Sequence, residues 1–88
     1  MALLSPKVIA QVNGRSAGNL GEMSWEWIMR ADGEVLYRLT MINGRRERNP
    51  WAVATRVPPA EMEVIRRDRT KAAEVLDAIV RHHGHRAQ

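Results

Sequence analysis

The chain contains no cysteine. Disulfides, thiolate nucleophiles and cysteine-ligated metals are therefore excluded, and a reducing, cytoplasmic setting is expected. No apolar run approaches the roughly 18–20 residues that span a bilayer, so no membrane segment is expected. The opening "MALLSPKVIAQV" lacks a basic leader, a long apolar stretch and a cleavage signal, which argues against a secretory signal there. Internal repeats and low-complexity tracts are absent. With 88 residues, there is room for one modest core, and a single small domain over 1–88 is expected.

Signatures of catalysis are also missing. Ser5, Ser16 and Ser24 fall in a tail, a loop and a strand start, with no Ser-His-Asp arrangement at a recognisable elbow. The glycines are scattered and form no phosphate-cradling loop. Most carboxylates have a basic residue nearby, as in the i,i+4 pairs Glu63–Arg67 and Asp77–Arg81, which suit a solvated helix face. The terminal "HHGH" (His82, His83, His85) supplies imidazoles. A stable zinc site usually takes four ligands, and neighbouring helix positions point about 100° apart. No catalytic residue, metal, cofactor or small-molecule substrate is expected, and residues 84–88 read as a frayed, polar C-terminus.

What the chain does have is arginine. Of its 14 basic residues, set against 10 acidic ones, 12 are arginines, and the formal net charge is +4. The guanidinium keeps its charge and offers a planar fork of donors matched to phosphate and carboxylate. A basic balance favours acidic partners, nucleic acid among them.

The order of patterns is strands first, helix after. Lys7–Val12 reads as a strand, and the Gly/Asn-rich residues 13–23 as a mobile loop. "SWEWIMRADGEVLYRLTM" carries two period-2 runs on either side of Asp32-Gly33. A two-residue turn would pair Trp27 with Arg38 and mix apolar with charged groups on one face. A three-residue turn, Ala31-Asp32-Gly33, pairs Met29 with Val35, Trp27 with Tyr37 and Trp25 with Leu39. Its other face pairs Arg30 with Glu34, Ile28 with Leu36, Glu26 with Arg38 and Ser24 with Thr40. One face is then wholly apolar, which selects the three-residue turn, with Gly33 left-handed in a bulge.

Asn43-Gly44 is a second turn signal, but a tight turn would set Arg46 and Arg48 opposite Met41 and Leu39 on the core face. Because burying such charges is costly, a longer loop over 43–50 is expected. "WAVATRV" (51–57) reads as a further strand, ended by Pro58-Pro59. Met62, Ile65, Ala72, Val75, Leu76, Ile79 and Val80 then form one helical stripe. Arg69 interrupts it, so either two helices with Asp68 or Thr70 as cap, or one long helix with Arg69 snorkelling, fits the pattern. Gly84 suits a C-cap. The expected fold is α+β: an antiparallel sheet of three to four strands packed on one face by one C-terminal helix or by two helices.

"WEWIMRADGEVLYR" and "TKAAEVLDAIVRHH" resemble the strand–turn–strand–helix pattern of small YegP-like bacterial domains. The resemblance covers about 28 of the 88 residues and carries no function with it. The coarse order of elements is similar to that of integrase arm-binding domains, which read DNA with an open sheet face. Here the matching face (Glu26, Ile28, Arg30, Glu34, Leu36, Arg38) has its charges paired.

Two candidate sites remain. Arg45, Arg46 and Arg48 in "INGRRERNP" have one local counter-charge, Glu47, and Arg66, Arg67 and Arg69 form a second cluster. If the two met in space, they would hold phosphates with salt-sensitive affinity and little sequence preference. The expected function is thus a non-enzymatic binding module for an acidic partner, nucleic acid or a nucleoprotein. The alternative is a protein–protein module or inhibitor, of the kind seen among phage accessory and anti-CRISPR proteins, binding an acidic protein surface through Ile28, Leu36 and Trp51.

Overall fold

The computed structural model of the chain describes residues 6–18 and 21–83. Its elements are β1 (Val8–Gly18), β2 (Gly21–Arg30), β3 (Glu34–Ile42), β4 (Arg45–Arg46), β5 (Ala52–Arg56), α1 (Pro59–Arg67) and α2 (Thr70–His83). Strands β1, β2 and β3 form an antiparallel meander. The two-residue β4 and then β5 lie one after the other along the far edge of β3. Both helices follow the sheet in sequence and pack against it, giving the α+β class expected.

The central hairpin has the three-residue turn. Met29 pairs with Val35, Trp27 with Tyr37 and Trp25 with Leu39. Gly33 sits at φ +90, where a Cβ would approach Val57 O and Met62 Cγ at 3.2 Å each. One expected pair is displaced: a bulge between Ser24 and Trp25 sets Ser24 opposite Met41, not Thr40. Thr40 still reaches Ser24, donating its hydroxyl to the Ser24 carbonyl at 3.0 Å.

Three expectations are corrected or resolved. The segment expected as a loop over 13–23 is strand over 13–18 and 21–23, closing a β1–β2 hairpin in which Gly18 pairs with Gly21. Gly21 lies at φ +103, and the Asn43 side chain occupies the place a Cβ would take. Asn43 there accepts from Glu22 N–H at 2.8 Å.

The second correction concerns the Asn43-Gly44 turn, which is tight rather than a loop over 43–50. Asn43 (φ 50) and Gly44 (φ 81) are both left-handed, and Ile42 pairs with Arg45 and Met41 with Arg46. The cost expected for Arg46 does not arise, because Met41 at this end is 37% exposed and lies beyond the core. Third, the helical stripe is two helices. Asp68 leaves the helical region at φ −136, and its carboxylate accepts from Thr70 N–H at 3.1 Å and from the Thr70 hydroxyl at 2.6 Å. Pro59 opens α1 at a position where a missing N–H costs nothing.

The core lies between the helices and one sheet face. Met29, Val35 and Leu76 are fully buried, joined by Trp27, Val57, Met62, Ile65 and Ala72. Trp27 stacks on its cross-strand partner Tyr37 with ring centroids 5.0 Å apart. Extents of 42 × 34 × 17 Å match a flat body two layers thick. Among the described residues, the opposite sheet face carries no helix and is free to form a site. Among the described residues, no helix is long and apolar enough to cross a membrane.

Candidate functional site

Alternation along the strands decides what the uncovered face displays. Residues out of phase with Trp25, Trp27 and Met29 point to it: Ser24, Glu26, Ile28 and Arg30 on β2, with Gln11, Asn13 and Arg15 opposite them on β1. Leu36, Arg38 and Thr40 come from β3, and Val53 lies opposite Leu36 on β5.

Near the Gly33 turn this face is closed by ion pairs. Arg30 contacts Glu34 at 2.5 Å, Arg56 contacts Glu34 at 3.1 Å, and Arg38 contacts Glu26 at 3.2 Å. The two expected cross-strand charge pairs are therefore formed. The Arg38 guanidinium also lies over the Trp51 ring at 4.3 Å, a geometry in which the ring quadrupole attracts the cation. Ile28 and Leu36 sit among these groups and are each only 6% exposed, so they present no apolar patch. Val53, at 63% exposed, is a large apolar residue that this face shows to solvent.

Toward the Asn43-Gly44 turn the same face opens into a groove of about 900 Å³. Its floor includes Gln11, Asn13 and Arg15 of β1, Ser24 and Glu26 of β2, and Arg38 and Thr40 of β3, with Trp25 and Met41 as apolar members. Its wall is the segment from Arg46 to Pro50. That wall is fixed to the β3 edge in two places: Glu47 N–H donates to the Thr40 carbonyl at 2.7 Å, and Asn49 Nδ2 donates to the Leu39 carbonyl at 3.1 Å. The tight turn and these two bonds hold Arg46 and Arg48 at the groove.

The groove carries four arginines (Arg15, Arg38, Arg46, Arg48) against two glutamates (Glu26, Glu47). Arg15 pairs with Glu22 at 2.9 Å while remaining largely exposed, and Arg38 pairs with Glu26. Among the described residues, Arg46 and Arg48 make no ion pair, nor does Arg45 at the turn beside them. Two uncommitted guanidiniums above a floor that includes the amides of Gln11 and Asn13 and the hydroxyls of Ser24 and Thr40 can hold an anion through charge-assisted hydrogen bonds.

The second arginine cluster lies elsewhere. Arg66 borders hollows beside Ala31 and Asp32 at the Gly33 end of the sheet, and Arg69 borders one of them. Arg46 is at the other end of β3, whose nine residues cover about 30 Å at roughly 3.3 Å per residue. The two clusters do not form one patch. Arg66 is moreover paired with Glu63 at 2.5 Å, three residues back, where the sequence had suggested Glu63–Arg67. Reading 13–23 as a loop also hid the β1 contribution to the groove. The signal available was the alternation of Gln11, Asn13 and Arg15 with Ala10, Val12 and Gly14.

Among the described residues no group of three or more His, Cys, Asp and Glu side chains is placed to hold a metal ion. His85 and Gly84 lie outside the described residues. The chain matches no protein-family model, no curated protein and no solved structure.

Proposed function

We propose that the chain is a non-catalytic binding module for nucleic acid, taken as a single strand in the groove on the helix-free face of the sheet. What carries this reading is the pair Arg46 and Arg48, free of ion pairs among the described residues, on a wall fixed to β3 above a floor that adds Arg15. A positively charged groove that follows a sugar–phosphate backbone is how sheet proteins hold single strands without a sequence code. Contacts of this kind position the strand and leave base identity unread. Trp25 borders the groove from the core side, and Trp51, next in sequence to Pro50 of the wall, already lies under the Arg38 guanidinium. A cysteine-free chain with this partner fits the cytoplasm. The helix cluster of Arg66, Arg67 and Arg69 is left out of the site because it lies at the other end of the sheet. The reading as a protein-binding surface through Ile28 and Leu36 is not favoured, since both are buried.

The test is fluorescence anisotropy with labelled single- and double-stranded DNA and RNA from about 50 to 200 mM salt. Binding to single strands with a steep salt slope is expected. Absence of binding at the lowest salt removes nucleic acid as the partner.

A further inference from the structure

The two edges of the sheet are treated differently. On the far side of β3, β4 has two residues and β5 five, with Pro50 before β5 and Pro58-Pro59 after it. Short strands and prolines are the usual means of keeping an edge from pairing with another chain. The β1 edge has none of these protections. It is eleven residues long, holds no proline and, among the described residues, pairs only with β2. Its backbone phase follows from Glu22 of β2, whose N–H donates to the Asn43 side chain and whose C=O accepts from Asn43 N–H, both on the β3 side. In an antiparallel ladder, the β1 residues opposite 22, 24, 26 and 28 then turn their N–H and C=O groups away from β2. Gln11, Asn13 and Arg15 are among them, so each presents an unused donor and acceptor to the outside.

We propose that this edge pairs with the β1 edge of a second copy, antiparallel, about a two-fold axis at Asn13. The residue pattern fits itself in that register. Ala10 to Ser16 is regular ladder on either side of Asn13, ended by the irregularity between Val8 and Ala10. Asn13 faces Asn13 of the other copy, and Arg15 faces the neutral Gln11. Centred on Arg15, the strand would set two guanidiniums opposite each other, and centred on Gln11 it would set Arg15 against Lys7. Both are penalised.

Gly14 adds an independent observation. It sits in mid-strand, where glycine weakens a sheet, yet a Cβ there would meet nothing within 4 Å. Among the described residues, no neighbour requires a glycine at that place. In the proposed register the space beside Gly14 receives Val12 of the second copy. A five-stranded sheet becomes a continuous sheet of ten, and the inference stands whether or not the groove takes nucleic acid.

The experiment is light scattering with sedimentation velocity on the full chain, wild type and Asn13→Pro, in buffer without nucleic acid. Proline at 13 removes an outward N–H and no bond to β2. The wild type is expected at twice the 10.0 kDa chain mass, and Asn13→Pro at the single mass with an unchanged circular dichroism spectrum. Asn13→Lys is the second variant, should proline perturb the strand. It gains Glu26 as a partner within the chain, while the two-fold axis sets ammonium against ammonium, so dimer dissociation should rise at least several-fold. Because the chain has no cysteine, Asn13→Cys gives a further readout: the introduced thiols, directly opposite each other, should yield a covalent dimer on mild oxidation. A wild type that stays at the single mass at high micromolar concentration overturns the proposal. So does a dimer that folded Asn13→Pro and Asn13→Lys leave as tight as before.

Discussion

Replacing Arg46 and Arg48 together with alanine separates the groove from every other basic surface of the molecule. Neither side chain makes an ion pair among the described residues, and both are exposed, so folding stability should change by no more than about 0.5 kcal/mol. Binding should change in a defined way. Each phosphate neutralised contributes about 0.7 to the slope of log K against log salt for a single strand, and about 0.9 for B-DNA. Two lost contacts therefore flatten the slope by about 1.4–1.8. Over the fourfold range from 50 to 200 mM, that removes about a 7- to 12-fold change in affinity. Arg66→Ala with Arg67→Ala is the matched control, removing the same charge about 30 Å away along β3. Anisotropy titrations at four or more salt concentrations give both slopes, and the control should keep the wild-type value. An unchanged slope in the groove variant would falsify the assignment. Equal flattening by the two pairs would refute it differently, since it would mean diffuse attraction by net charge with no site.

Further outcomes follow from the core, the turns and the cap. Leu76→Ala empties a fully buried position between α2 and the sheet and should cost about 2–5 kcal/mol in urea unfolding; a loss below about 1 kcal/mol would contradict the packing described. Gly33→Ala should cost about 1–2 kcal/mol for its left-handed backbone, and more than Gly44→Ala. Both are left-handed, but only at Gly33 does a Cβ crowd Val57 and Met62; equal losses would show that the crowding does not matter. The Thr70 hydroxyl and N–H together hold the Asp68 carboxyl below its ordinary pKa. A depressed carboxyl stabilises the fold fully above its unfolded value of about 3.9, and this stabilisation is lost as pH falls through the lower folded value. The melting-temperature gap between wild type and Asp68→Ala should therefore shrink in acid, and a gap independent of pH down to about 2 would remove the cap from the account.

The hairpin shows how far sequence can reach. Trp25, Trp27 and Met29 on one side of Asp32-Gly33, and Val35, Tyr37 and Leu39 on the other, leave one register that keeps charge off the apolar face, and the chain adopts it. The helical stripe was legible for the same reason, because burial acts on a period the sequence displays. Asn43-Gly44 marks where such an argument stops. Its turn chemistry was plain, yet the tight turn looked costly because Arg46 would face Met41. Whether Met41 is core depends on where the helices end, and no local pattern contains that.

The candidate site divides along the same line. The sequence by itself determined the α+β class, the central register, the apolar stripe and the excess of arginine, because side-chain alternation and turn preference act between neighbours along the chain. Only the tertiary structure decided that Gln11, Asn13 and Arg15 stand beside Arg46 and Arg48 in one groove, that Arg66 and Arg69 lie at the far end, and that Ile28 and Leu36 are covered. Those relations join residues tens of positions apart. They depend on which strand edge accepts β1 and on how the 45–50 segment is tied to β3, through long-range hydrogen bonds and burial that leave no periodic trace in the sequence.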